Sequence, residues 1–244
     1  DLKAFRQWGS KTPGHPEHGV TPGVETTTGP LGQGLANAVG LAMAERHLAA
    51  RFNRPGCEVV DHCTYVMCGD GDLMEGITGE AASLAGHLGL GRLICIYDDN
   101  QITIEGRTAI TFTENVAQRF QAYNWQVLAV EDGNDLAAID QALRQAREET
   151  ARPSLILLRT QIAYGSPGKQ GSAEAHGAPL GREEVCRTKV CLGCPPDVEF
   201  CVPPEVRTTF GACVERGRAA EDRWRQRLEA FRQAHPEMAR QWQT

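Results

Sequence analysis

The chain has 244 residues, 41% of them hydrophobic, and a formal net charge of −6. That length supports one sizeable domain with a well-buried core. The negative balance lacks the basic surplus of a nucleic-acid binder, and no apolar stretch approaches the length of a membrane span, so neither kind of partner is expected. In chain order, the first periodic segment is 31–52, rich in alanine with apolar positions at helical spacing and opened by Gly29-Pro30-Leu31-Gly32. Thr64-Tyr65-Val66-Met67-Cys68 has the length and β-branched or aromatic content of a buried strand. It runs into Gly69-Asp70-Gly71, after which 75–88 carries small and apolar residues suited to a helix. A second strand, Leu93-Ile94-Cys95-Ile96-Tyr97, runs into Asp98-Asp99-Asn100-Gln101-Ile102.

Trp125 to Val130 reads as a strand, and 136–149 as an amphipathic helix with Leu136, Ile139, Leu143 and Ala146 on one side. Ser154-Leu155-Ile156-Leu157-Leu158 is another buried strand. Residues 164–179 are rich in Gly, Ser and Pro and read as a functional loop. Residues 186–204 read as irregular, and 218–242 as a charged helix. Alternating strands and helices predict an α/β fold: a doubly wound, mostly parallel sheet with helices on both faces. No secretory signal pattern stands at Asp1. The nine cysteines are scattered and odd in number, which favours reduced thiols and a cytoplasmic protein.

The chemistry concentrates at the carboxyl ends of two strands joined by a helical crossover, the edge where open α/β sheets bind ligands. Oxygen donors from Asp and Asn suit a hard cation such as Mg²⁺, which also favours phosphate oxygens. Glycines around Asp70 let backbone N–H groups approach an anion. The pattern reads as a metal-bridged diphosphate site. A tight turn at Gly69-Asp70-Gly71 and a capping Asn100 form the plainer alternative. An EF-hand does not fit the later positions of the loop, and the glycine order in Gly29-Pro30-Leu31-Gly32-Gln33-Gly34 does not match a dinucleotide fingerprint.

Gly-Asp-Gly followed at about thirty residues by Asn resembles the fingerprint of thiamine-diphosphate enzymes. Four further segments narrow the resemblance to transketolase. They are Ser10-Lys11-Thr12-Pro13-Gly14-His15-Pro16-Glu17, then Gly23-Val24-Glu25-Thr26-Thr27-Thr28-Gly29-Pro30-Leu31-Gly32-Gln33-Gly34, then Ile96-Tyr97-Asp98-Asp99-Asn100, and His176-Gly177-Ala178-Pro179-Leu180-Gly181. The match covers residues 1–182 as the diphosphate-binding domain, with 183–244 as an irregular segment and helical extension. The resemblance implies Mg²⁺, with Ca²⁺ or Mn²⁺ as substitutes, held by Asp70, Asn100 and the backbone carbonyl of Ile102. It implies that Gly71 offers its N–H to a phosphate oxygen. Gly29 and Leu31 would meet the aminopyrimidine of thiamine diphosphate, and Ile162 would also contact the cofactor. His15 would face substrate and cofactor, His176 would stand near the diphosphate and reactive ring, and Glu75 would lie on a hydrogen-bonded path at a dimer interface. The further histidine that often precedes this one is absent from Ala173-Glu174-Ala175-His176.

The resemblance also implies what lies outside this chain. The glutamate that activates the pyrimidine ring comes, in transketolases, from a pyrimidine-binding domain, and relatives carry an upstream stretch with further histidines. The chain is therefore expected to be a fragment or one half of a split enzyme. Its sites would be completed by a complementary domain or subunit, in a homodimer or a heterotetramer of halves acting on sugar phosphates. A dihydroxyacetone synthase, or a non-catalytic cofactor-binding or regulatory module, is the alternative. Cys191-Leu192-Gly193-Cys194, with Cys186 and Cys201 nearby, raises a structural zinc, although free thiols fit the spacing better.

Overall fold

The computed structural model describes residues 1–242. In chain order the elements are helix α1 (Gln33–Phe52), strand β1 (Thr64–Gly69), helices α2 (Asp70–Met74) and α3 (Gly76–Leu88), and strand β2 (Leu93–Asp99). A short hairpin follows, β3 (Ile102–Thr103) and β4 (Gly106–Arg107). Then come α4 (Val116–Ala122), β5 (Gln126–Val130), α5 (Leu136–Glu148), β6 (Ser154–Arg159), α6 (Arg182–Cys191), α7 (Pro204–Ala234) and α8 (Pro236–Trp242). Two compact units emerge: residues 1–42 with 63–197, and residues 43–62 with 198–244.

The first unit is built on a parallel four-stranded sheet in the order β1-β2-β6-β5. Period-2 alternation sends successive side chains to opposite faces. On one face Val66, Cys68, Leu93, Cys95, Tyr97, Leu155 and Leu157 pack with Leu35 and Ala38 of α1, Ala81, Ala82 and Ala85 of α3, and Phe120 of α4. On the other, Ile94, Ile96, Ile156, Leu158, Leu128 and Val130 pack with Ala142 and Ala146 of α5. Helices therefore cover both faces, as the alternating pattern predicts. The alanines of α3 let it lie close to its neighbours, and Trp125 Nε1 donates to Ala82 O at 2.8 Å. Phe120 stacks edge-on to Trp125 with centroids 5.1 Å apart. Each such fully buried side chain contributes about 1.5–3 kcal/mol.

Local caps set the helix ends. Asp135 accepts from the amides of Ala137 and Ala138 to open α5, and Asn115 accepts from Gln118 N to open α4. Gly89, at φ 63°, closes α3 in the left-handed conformation. Leu136 departs from expectation: it sits just after the Asp135 cap and is 77% exposed, while Ala142 lies inward with Ala146.

The second unit gathers Phe52, Val59, Val60, Leu228, Phe231 and Ala239. Trp224 Nε1 donates to Val59 O at 2.9 Å, and Phe52 meets Trp242 edge-on at 5.1 Å. Two expectations are corrected here. The stretch 186–204 is helical through Cys191, as part of α6. The helix expected over 218–242 starts earlier, at Pro204, which occupies a first-turn position where a missing N–H does no harm. It also breaks at His235, because Pro236 cannot donate to a continuing helix.

Candidate functional site

The carboxyl ends of β1, β2 and β6 form one edge of the sheet. At the end of β1 the Gly-Asp-Gly turn is the start of a helix: Gly69 is the extended N-cap of α2, and Asp70 and Asp72 lie in its first turn. Asp70 is 4% exposed. One of its oxygens, Oδ1, accepts a short hydrogen bond from Tyr97 Oη. The other, Oδ2, is buried with no hydrogen-bond partner. Burial pushes the Asp70 carboxyl above the usual carboxylate range, the Tyr97 hydroxyl and, least of all, the Gln101 backbone N–H oppose this, and the Asp99 and Asp98 charges add to the rise. A buried carboxylate oxygen left unpaired beside two more carboxylates is costly in isolation and fits a cation.

The end of β2 supplies amide and carboxylate oxygens. Asn100 Oδ1 accepts from Ile102 N at 2.9 Å, and Asn100 Nδ2 donates to Asp98 Oδ2 at 3.2 Å. This closes a turn in which Gln101 takes φ 61°, a left-handed conformation that short polar neighbours support. Asp98 also accepts from Thr160 Oγ1 at the end of β6. Asp99 pairs with Arg159 at 3.1 Å; burial raises its carboxyl and the Arg159 guanidinium opposes the rise. Both partners are partly exposed, so this pair is worth at most about 1 kcal/mol.

Asn100, Ile162 and His176 line one cavity of about 490 Å³ with Met67, Asp98 and Thr160. Asn100 and Ile102 also border a neighbouring cavity of about 460 Å³ with Arg107, Arg159 and Tyr164. Three predicted cofactor contacts separated by up to 76 positions are thus brought together. Of the remaining predicted residues, His15, Gly29 and Leu31 come from the irregular segment before α1, while Gly71 and Glu75 lie in α2 and at the start of α3. A Cβ on Gly29 would lie 3.8 Å from the His15 ring, and a Cβ on Gly71 would lie 3.2 Å from Leu31 Cδ1. Glu75 is the exposed N-cap of α3 and makes no side-chain cap bond. Its Cβ and Ile77 Cγ2 would sit 3.0 and 2.8 Å from a Cβ on Gly32, whose φ is 77°; only glycine serves there.

Asp72 and Tyr97 were not singled out by the sequence, yet both organise the edge. Asp72 Oδ1 accepts from Gly32 N at 2.8 Å and Oδ2 from Gly69 N at 2.9 Å. One carboxylate therefore ties the Gly29-to-Gly34 loop to the turn that bears Asp70 and Gly71. The signal available was Asp72 three residues after Gly69, the position from which a side chain reaches back to an N-cap amide.

All nine cysteines are free. Cys186 faces Pro196 O and Cys194 faces Leu192 O, both at 3.8 Å. Among the described residues no group of three or more His, Cys, Asp or Glu is gathered for a metal, so the zinc alternative finds no support. The same finding bears on Mg²⁺: Asp70 stands as a lone carboxylate among its proposed donors. Mg²⁺ is often held by one or two carboxylates with phosphate oxygens and water completing the shell, so the residues present fit that ion only jointly with a bound phosphate.

Comparison with known proteins agrees with this geometry. The family profile described as transketolase, thiamine diphosphate binding domain, matches residues 1–244. The transketolase of Geobacillus stearothermophilus is 59% identical over 242 residues, covering 99% of this chain and 36% of the relative. The solved transketolase of Leishmania mexicana superposes with a TM-score of 0.95 at 49% identity, over 98% of this chain and 36% of that one. The transketolase of Pichia stipitis in complex with sedoheptulose 7-phosphate superposes at 0.96 with 44% identity, over 99% and 36%. The chain thus spans 36% of the length of these relatives. With the fold, the carboxyl-edge site and these matches in agreement, the chain belongs to the transketolase family, in its thiamine diphosphate binding domain.

Proposed function

We propose that this chain is the diphosphate-binding half of a transketolase, which transfers a two-carbon ketol unit from a ketose phosphate to an aldose phosphate. The observation that supports this most is Asp70 Oδ2, a buried carboxylate oxygen without a partner, at the sheet edge of a chain in this family. Bound thiamine diphosphate supplies an electron sink for the transferred fragment. Asp70, Asn100 and the Ile102 carbonyl hold Mg²⁺, or Ca²⁺ or Mn²⁺ in its place, and Gly71 N–H meets a phosphate oxygen. Gly29, Leu31 and Ile162 fix the orientation of the cofactor.

His15 is exposed beside Gly29, where its imidazole can hydrogen-bond a donor hydroxyl or hold a proton during transfer. His176 lines the same cavity as Asn100 and serves the diphosphate side. Glu75 faces a partner subunit at the start of α3, flanked by exposed Met74 and Ile77. A pyrimidine-binding domain or subunit supplies the activating glutamate, in a homodimer or a heterotetramer of halves. The cytoplasm, where nine thiols stay reduced, is the proposed location.

The test mixes the purified chain with a separately expressed pyrimidine-binding half, Mg²⁺ and thiamine diphosphate. Ketol transfer is expected only in the mixture, with a larger particle by light scattering. Contaminant-free activity from the chain alone refutes the division of the site. A mixture that binds cofactor but transfers nothing favours the non-catalytic module.

A further inference from the structure

The loop that leaves β6 carries Ile162 and leads to His176, which line the cavity that holds Asn100 and are the proposed cofactor contacts on this side. It is irregular, yet it is closed on itself. Gly171 N donates to Ile162 O at 2.9 Å. Gly165 N donates to Gln170 Oε1 at 2.6 Å, and Gln170 Nε2 donates to Gln161 Oε1 at 2.8 Å. Ser172 Oγ donates to Lys169 O at 2.8 Å. A loop bonded to itself in this way keeps its own shape, so its attachment to the rest of the domain bears on where it sits.

That attachment centres on one carboxylate. Glu184, in the first turn of α6, is 6% exposed. It accepts a short hydrogen bond from Ser166 Oγ, itself 1% exposed, and one from Gly168 N at 2.7 Å. Arg187 Nη2 donates to its other oxygen. Ser166 Oγ also accepts from Lys169 N at 3.2 Å, which passes the anchor on along the loop. A Cβ on Gly168 would lie 3.2 and 3.3 Å from the two Glu184 oxygens, so glycine lets the backbone come this close. Gly165 similarly meets Leu192, just beyond α6. A carboxylate in a first helical turn commonly just favours the helix dipole on the surface. Glu184 instead is buried and spends both oxygens on partners, two of them on the loop.

We propose that Glu184 is a positioning residue: through Ser166 and Gly168 it latches the 161–172 loop to α6 and so sets where Ile162 and His176 stand in the cofactor cavity. Glu184 lines neither cavity that contains Asn100, so it acts through the loop and touches no reacting group. This inference rests on the proposed cofactor role of that cavity.

The test compares wild type, Glu184→Ala, Glu184→Gln and Ser166→Ala in the assembled enzyme, meaning this chain with its pyrimidine-binding counterpart. Amide hydrogen exchange reads the loop, thermal melting reads the fold, and titration reads thiamine diphosphate affinity at saturating Mg²⁺. In Glu184→Ala, exchange across 164–176 should quicken at least tenfold with the strand amides unchanged, and cofactor affinity should fall three- to tenfold. Glu184→Gln keeps a carbonyl oxygen for Ser166 and Gly168 and should recover most of both; Ser166→Ala, which removes one loop donor and leaves the bond from Gly168 N, should show an intermediate effect. Unchanged loop exchange in Glu184→Ala overturns the latch. A loosened loop with unchanged affinity overturns its positioning role, as does a general loss of melting temperature without loop-specific exchange. Wild type that binds no thiamine diphosphate refutes the cofactor reading instead, and exchange then still reports separately whether the latch exists.

Discussion

Replacing Asp70 by Asn separates function from stability, because the structure gives the two effects opposite signs. Asp70 Oδ2 is buried and unpaired, and Asp98 and Asp99 add like charge. Neutralising the side chain removes the buried charge and its repulsion from Asp98 and Asp99, about 1–3 kcal/mol, although a polar amide atom still stands where Oδ2 was. The bond from Tyr97 Oη is kept but becomes neutral, a loss of about 1 kcal/mol. The net change is between zero and about 2 kcal/mol in favour of the variant, so in a chelator its melting temperature should hold or rise by a few degrees. Binding should move the other way. If Asp70 is the charged Mg²⁺ ligand proposed above, its loss leaves diphosphate charge less compensated, and affinity for thiamine diphosphate should fall at least about tenfold, or 1.4 kcal/mol. Calorimetry without ligand, then titration of the assembled enzyme with cofactor and Mg²⁺, gives both numbers. A destabilised variant with unchanged affinity would falsify the assignment, since it would make Asp70 a structural carboxylate.

Asp72→Ala removes two charge-assisted bonds, to Gly32 N and Gly69 N, and should cost about 2–4 kcal/mol in denaturant unfolding; a cost below about 0.5 kcal/mol would show that the two loops hold without it. His15→Ala should leave melting and cofactor affinity as in wild type while lowering turnover in steady-state kinetics, and parallel loss of cofactor binding would make His15 a binding or structural residue instead. Gly86→Ala forces a Cβ to within 1.7 Å of Tyr123 O; despite its better helix propensity it should destabilise by about 1–3 kcal/mol, and a gain in melting temperature would contradict the observed packing of α3.

The legible parts of the fold are those where burial alone decides. The apolar runs leading to Gly69 and Asp98 became β1 and β2, and the run from Ser154 became β6; β2 and β6, covered on both faces, need apolar side chains throughout, whereas on the edge strand β1 Tyr65 and Met67 stay exposed. Each continues one or two residues past its apolar run, to Gly69, Asp99 and Arg159, where the hydrogen-bond ladder persists without hydrophobic need. The helix α6 was missed because its sequence, Arg-Glu-Glu-Val-Cys-Arg-Thr-Lys-Val-Cys, carries little apolar periodicity; its buried residue is Glu184, a polar anchor that pattern reading assigns to solvent. At the site, the resemblance named Asn100, Ile162 and His176, and the structure gathers them in one cavity. The tie from Asp72 to Gly32 and the bond from Tyr97 to Asp70 escaped notice because they span 40 and 27 positions; only the bond from Asp72 back to Gly69 is local.

The lone carboxylate among the proposed Mg²⁺ donors has a thermodynamic consequence. A cation with so few protein ligands, and an anion in the cavity of Asn100, Ile162 and His176, whose described lining residues include no Lys or Arg, are each weak guests alone. In the reading proposed here, occupancy of either raises the affinity for the other, and linkage requires the two enhancement factors to be equal. The cofactor half-saturation point should therefore track free Mg²⁺ until the metal saturates, and Mg²⁺ affinity should track cofactor by the same factor. This edge of the sheet would then behave as one divided receptor for an ion pair.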